Sequence, residues 1–520
     1  MNQPTTELHK PTKLPPPAPR ELVVIVEPKA QFRVRRNNKI TGVGVAPLVK
    51  LIASEGVIIQ PLYGVSEEWL RRRTAHMKEV CMGVGQRLDL SIFYKITAPD
   101  EKFEDLAVKL RALDVIQAAY IKPGAELTIV NNNIAFESGL LPGLATGDFT
   151  SKQIYLKDAS EGGVGVDCAW AKEGGRGQQV KIIDVEGAWR FSHEDLIQNS
   201  CGQIGGGSTP DLGWRNHGTA VLGVLGGDIN NLGVTGICPE AIVGGSSIFG
   251  TSITPDAPIW SAAAAIRLAA DNLNRGDIIL IEHHLPGRKA DFQRRDDQLG
   301  YLPIEWWPCN LAAIQYATGR GIIVVEAAGN GQQNLDNIIY EDDPDAPFGP
   351  FPDWWRNPFP RNPIDSGAIV VGAGIPPGPS KPDRSRLRES NYGSMVDAQG
   401  WGDNVVSCGY GGLSENDADE DRWYTSRFNG TSSAAAMVAG VVGCIQGASK
   451  AVNNVLDPAT VRAALRDDNL NSPQTDGPFG TASVVRIGPR PNLCKLIDHL
   501  IPTPGIIQKL KSDLRRLLIS

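Results

Sequence analysis

Arg427-Phe-Asn-Gly-Thr-Ser-Ser-Ala-Ala-Ala-Met-Val-Ala-Gly440 orders the rest of the chain. A small-residue turn, Gly430-Thr431-Ser432, runs into a segment without charge from residue 433 to 445. A helix apolar on every side is a buried helix. Ser432 falls where it begins, and there the free N–H groups and the positive end of the helix favour negative charge. A serine that attacks an amide needs that setting, because an oxyanion forms beside it. Taken alone, the same residues read more readily as an ordinary serine cap on a core helix.

Two further stretches bear on the choice. Val180-Lys-Ile-Ile-Asp184 is an apolar run ending in a carboxylate, which predicts a buried parallel strand with Asp184 at its C-terminal end. Asn216-His-Gly-Thr-Ala-Val-Leu-Gly-Val-Leu-Gly-Gly227 predicts a close-packed helix, with Asn216 as its cap and His217 in its first turn. Each has a plain structural reading alone. Together, Asp, His and Ser stand in the chain order of the subtilisin triad.

The chain resembles the subtilisin-like serine peptidases over roughly residues 150–488. The motifs that carry the resemblance are Ile183-Asp184 with His193-Glu-Asp-Leu196 downstream, His217-Gly-Thr219, Gly430-Thr-Ser432 with Val438-Ala-Gly440, Val324-Val-Glu-Ala-Ala-Gly-Asn330, and Gly233-Val-Thr-Gly-Ile-Cys-Pro239. It implies an α/β domain, a parallel sheet flanked by helices. It also implies acyl transfer to Ser432, with His217 as general base, Asp184 fixing its tautomer, and Asn330 with the Ser432 N–H holding the oxyanion. The substrate-binding edge is expected at His284, Leu285, Pro286 and Gly287, and along Ala327, Ala328 and Gly329. A proline at 286 has no N–H to give a substrate strand, so either one main-chain bond is lost or the pairing shifts by one residue. Two other readings stay open: a transferase or ligase working through the same acyl-enzyme, and a non-catalytic peptide-binding protein on the same fold.

Composition agrees. At 520 residues the chain is too long for one core and predicts two domains. A net charge of −7 gives no nucleic-acid footprint. No apolar stretch approaches the ~18–20 residues of a transmembrane helix. The start, Met1-Asn-Gln-Pro-Thr-Thr-Glu, lacks a signal-peptide pattern, and the expected location is cytoplasmic. The cysteines are scattered without a CxxC pair, so free thiols in a reducing compartment are expected, with no metal site built from them.

Residues 1–20, with Leu14-Pro-Pro-Pro-Ala-Pro-Arg20, read as a disordered arm. From 21 to 122 the order β-α-β-β-α-β predicts a small ferredoxin-like α+β domain, with a helical insertion at 66–77 and an alternating strand over 88–96. By the resemblance, such a domain is a propeptide that inhibits the enzyme with its C-terminal tail, so the protein's own N-terminal domain is an expected partner beside a protein or peptide substrate; an unrelated accessory domain is the alternative. A linker covers 123–150, the peptidase domain 151–488, and a helical tail 489–520, with Ile506, Leu510, Leu514 and Leu517 at helical spacing.

The chain also departs from the family pattern. The loop after Asp184, Val185-Glu-Gly-Ala-Trp-Arg-Phe-Ser192, is longer, and Ala436 and Met437 replace Pro and His; neither change is expected to touch the chemistry. Inserts at 288–308 and 331–363, with Trp306, Trp307, Trp354 and Trp355, are expected to overhang the cleft. No cofactor is expected, with calcium at the acidic run Glu341-Asp-Asp-Pro-Asp345 as the alternative. Glu282 and Glu326 interrupt strands expected to be buried neighbours. They would share a proton or need a cation, and are read as structural or pocket-lining.

Overall fold

The computed structural model describes residues 14–35, 39–80, 89–128, 146–250, 261–379, 381–413 and 419–501. Its N-terminal unit is a four-stranded antiparallel sheet built from β1 (Glu21–Val26), β2 (Ile58–Pro61), β3 (Phe93–Thr97) and β4 (Ile116–Lys122), in the order β2-β3-β1-β4. That is the ferredoxin-like arrangement, with α1 (Ala46–Glu55) and α3 (Phe103–Arg111) as its two crossovers. On α3, Phe103, Leu106, Ala107 and Leu110 form the buried stripe. The extra helix α2 (Glu67–Val80) lies between β2 and β3 in the chain. The third strand is shorter than its alternation predicted. Asp89 accepts a bond from Ser91 N–H at 2.9 Å, closing residues 90–92 into a helical turn before β3 starts.

After Lys122 the chain forms a two-residue strand, β5 (Glu126–Leu127). The large unit then follows. Seven parallel strands are β6 (Lys181–Glu186), β7 (Ser200–Gly205), β8 (Ile242–Ser247), β9 (Ile278–Ile281), β12 (Ile323–Ala327), β13 (Ile369–Gly374) and β14 (Val396–Trp401). Their order is β14-β13-β12-β9-β6-β8-β7. The central strands are buried almost throughout because helices cover both faces. The short strands β10 (His283–Pro286) and β11 (Tyr301–Pro303) pair with each other and carry β5 on the free edge of β10.

Helix α4 (Leu212–Gly226) bears His217, and α7 (Gly430–Ala451) bears Ser432. Asp211, not Asn216, caps α4: its side chain accepts from Trp214 N–H at 3.1 Å. The uncharged run at 433–445 understates α7, which extends over 22 residues and is long and apolar enough to span a bilayer. It is wholly enclosed by β12, β13, β14 and α4, which makes it the core of this domain.

The N-terminal sheet packs on the inserts. Tyr120 lies near-parallel to Trp307 and meets Phe351 edge-on, with centroids 6.2 and 5.0 Å apart. Tyr63 donates to the Cys309 carbonyl at 2.9 Å, and Arg111 donates to that of Gly349 at 2.6 Å. Trp306, Trp307 and Trp355 are therefore buried as a platform under this sheet rather than overhanging an open cleft.

The free-thiol expectation fails for one pair. Cys168 and Cys494 form a disulfide across 326 residues, joining the short helix Val166–Trp170 to α9 (Leu493–Leu500). Cys201, Cys238, Cys309, Cys408 and Cys444 are free, and Cys81 lies outside the described residues, as does the amphipathic run beyond residue 501. Closing so long a loop restricts the unfolded chain. Cys494→Ala is expected to lower unfolding free energy by about 2–4 kcal/mol. Denaturant titration of wild type with reductant should give the same loss, and no shift in either would mean the bond adds nothing.

Candidate functional site

β6 ends at the site with two carboxylates. Asp184 and Glu186 are two apart on one strand and so share a face of the sheet. Glu186, which the sequence did not single out, is the one beside the histidine, with an oxygen 2.9 Å from His217 Nδ1. The ring N–H is not aligned for a hydrogen bond at that distance. Asp184, expected there, accepts instead from the Trp189 indole at 2.7 Å. The longer loop after Asp184 thus does touch the chemistry, because its first residues bring in both Glu186 and Trp189.

Burial drives the Asp184 carboxyl well above the usual range, and Glu186 adds to the rise while Trp189 opposes it. Burial does the same to Glu186. Burial thus favours the protonated, neutral form of both carboxyls. His217 is pushed down to about 3 by burial, against a weaker pull from Asp184, so it is a neutral imidazole and its contact with Glu186 is not an ion pair. Phe428 packs edge-on against its ring, 5.4 Å between centroids.

Ser432 is the third residue of α7 and fully buried. Its hydroxyl is hydrogen-bonded to that of Thr128. The Glu282 carboxyl faces Ser432 too; burial raises it well above its usual range, with Asp184 and Glu186 adding to the rise and the serine hydroxyl opposing it. His217 Nε2 has no hydrogen-bond partner, so the serine–imidazole bond is not made while Thr128 is in place.

Asn330 stands across from the serine. Its Oδ1 accepts from both the N–H and the hydroxyl of Thr431 at 3.0 Å, which leaves its NH2 facing inward, 3.5 Å from Gln298 Oε1. Gly430 has φ +85°, and a Cβ there would lie 2.3 Å from the Thr128 carbonyl oxygen. Only glycine lets that carbonyl approach the start of α7.

The segment lying over the serine is the end of the N-terminal unit. β5 runs antiparallel to β10, with Leu127 opposite His283 and Glu126 opposite His284. The pairing is shifted upstream of the expected His284-Leu285-Pro286, so Pro286 sits beyond it and its missing N–H is not needed. Among the described residues, Leu285 and Pro286 pair with Leu302 and Tyr301 of β11 and not with β5, and Gly287 donates to Gly300. Ala328 and Gly329 are tied to Val371 and Asn391 through their backbones, and Ala327 pairs with Val371. Glu126 is buried, bonded by the Tyr301 hydroxyl at 2.7 Å and 3.8 Å from Arg294.

Glu326 is not Glu282's partner. It accepts the Ile304 N–H at 2.8 Å and shares its burial with Glu305, whose carboxyl burial pushes up to about 7. In the acidic run at 341–345, Glu341 accepts from Asn357, and the Asp343 carbonyl accepts from Arg288. No group of three metal-ligating side chains occurs among the described residues.

The description of the Subtilase family matches residues 204–482, more than half of the sequence, and the chain belongs to that family. A "Calcium-dependent protease" of Nostoc sp. is 27% identical over 320 residues, 57% of this chain and 43% of its own length. "Subtilisin-like protease 2" of Trichophyton rubrum is 26% identical over 328 residues, 63% of this chain and 60% of its own. The chain thus spans less than half of the first relative and under two thirds of the second. In fold it is similar to the epidermin leader peptide processing serine protease of Staphylococcus aureus, with a TM-score of 0.51 at 15% identity, covering 94% of this chain and 100% of that one.

The Glu126 carboxyl makes docking of the segment pH-dependent. Burial pushes it up to about 7 against the Tyr301 bond and Arg294, with nearby Asp296 adding to the rise. A carboxyl raised on docking favours the docked state below its free value and loses that advantage as pH climbs to 7. Residues 21–128 added as a separate polypeptide are expected to bind the rest of the chain more weakly as pH rises from about 4.5 to 7, by up to tenfold per unit. Glu126→Gln should flatten the profile by that amount; an unchanged profile would assign the dependence to other groups.

Proposed function

We propose that the chain is a serine endopeptidase that carries its own inhibitor. The observation that supports this best is the course of residues 126–128, extended along β10 with Thr128 over the Ser432 hydroxyl. A peptide added as a strand to that edge, ending on a nucleophile, is held as a substrate is held. In the reaction, Ser432 Oγ attacks the carbonyl of the residue in Thr128's position. His217 takes the serine proton and returns it to the leaving amine, and water then hydrolyses the acyl-enzyme. The developing oxyanion is received by the Asn330 amide and the Ser432 N–H.

The carboxylate that orients His217 is Glu186, with Asp184 behind it, raised by burial and anchored by Trp189. Departure of residues 126–128 readmits water. Burial no longer depresses the imidazole, which can then act as a base near neutral pH. Inhibition in cis needs only modest intrinsic affinity, because a short tether gives millimolar effective concentration.

Four substitutions test the assignments on casein, after the N-terminal domain has been cleaved away. Ser432→Ala should abolish fluorophosphonate labelling and lower kcat by about 10⁶. Asn330→Ala should cost about 10²–10³ in kcat. Glu186→Gln should cost about 10⁴, as removal of the orienting carboxylate does elsewhere, and Asp184→Asn much less. The reverse order would return the role to Asp184. A wild-type protein that neither labels nor cleaves is not a peptidase.

A further inference from the structure

Residues 14–20 were expected to be disordered. Instead the described part of the N-terminus crosses the large domain beside the site. Pro15, Pro16, Pro17 and Pro19 have no N–H to donate, and each fixes its own φ, so the segment is an extended ribbon that presents carbonyls. Three consecutive carbonyls find donors on the large domain. Arg294 Nη2 donates to Leu14 at 3.0 Å and to Pro15 at 3.1 Å, and the Trp214 indole N–H donates to Pro16 at 2.9 Å.

The surface under the ribbon is shaped for it. A Cβ on Gly213 would stand 2.4 Å from Pro15 Cγ, so the bare backbone there makes room for the prolyl ring. Trp214 is buried and braced edge-on by Phe249, with centroids 5.2 Å apart, so its N–H is fixed in direction. Leu14 is buried with it. Downstream, Ala18 N–H donates to the Ala125 carbonyl at 2.8 Å, just before β5.

We propose that Gly213, Trp214 and Arg294 form a binding site for a proline-rich extended peptide, filled in the intact chain by residues 14–16 and able, once vacated, to take such a peptide from a protein substrate. An indole N–H and a guanidinium aimed at successive prolyl carbonyls are the chemistry that selects this backbone, since it arrives already extended and loses little entropy on binding.

The test uses the full chain with Ser432→Ala, so that nothing is degraded, and a fluorescein-labelled Leu-Pro-Pro-Pro-Ala-Pro-Arg peptide followed by anisotropy. Replacing Pro15, Pro16 and Pro17 together by glycine loosens the resident segment. That chain is expected to bind the peptide at least about tenfold more tightly than one with the prolines intact. Within it, Trp214→Phe keeps the ring and removes the N–H, while Arg294→Ala alters a side chain that is 35% exposed and leaves the core untouched. Each should weaken binding about tenfold, as should alanines in place of the first three prolines of the peptide. The proposal is overturned if the peptide does not bind by millimolar concentration. Equal binding with and without the resident prolines, or binding unaffected by both Trp214→Phe and Arg294→Ala, overturns it as well.

Discussion

A helix without a polar face has to be enclosed on every side, and α7 is such a helix over 22 residues. Enclosure requires a sheet on one flank and α4 on another, so the elements bearing Ser432 and His217 are pressed together by packing alone. The price is that the start of α7 and everything facing it lie in a dry interior. Asp184, Glu186, Glu282 and His217 have almost no exposed surface. Their protonation is therefore set by desolvation first and by one another second.

Residues 126–128 close over that interior, contributing main chain to β10, a hydroxyl to Ser432 and a carbonyl against Gly430. The neutral imidazole and the raised carboxyls belong to the site in this covered form. The platform of Trp306, Trp307 and Trp355 does similar work at a distance. By seating the N-terminal sheet, it fixes where β4 ends and so where the following residues enter the cleft.

The sequence made α7, the parallel strands and the ferredoxin-like order legible, because each rests on a local pattern: unbroken apolarity, runs bounded by turns, helical stripes. Asn330 was legible from the motif around it. Glu186 was not, since it stands two residues past a carboxylate that already fitted the pattern, on the same face of the strand, and only the placement of α4 along that strand decides which of the two reaches the imidazole. The Cys168–Cys494 pair and the proline segment were hidden for another reason. Their partners lie far along the chain: 326 residues for the disulfide, 198 for Trp214 and Pro16, 280 for Arg294 and Leu14. Composition alone makes residues 14–20 a disordered arm, because no local term records a donor brought in by the fold. Glu326 was recognised as odd but given the wrong neighbour, as its true partner, Glu305, comes from an insert.

Arg294 touches both the N-terminal ribbon, at the carbonyls of Leu14 and Pro15, and the segment in the cleft, at Glu126. One guanidinium fixed by two ligands makes their occupancies thermodynamically linked. Whichever is bound lowers the entropy the side chain must still lose for the other, and the coupling is equal in both directions. The beginning and the end of the N-terminal domain therefore form one cooperative unit, in which withdrawal of either loosens the hold on its counterpart.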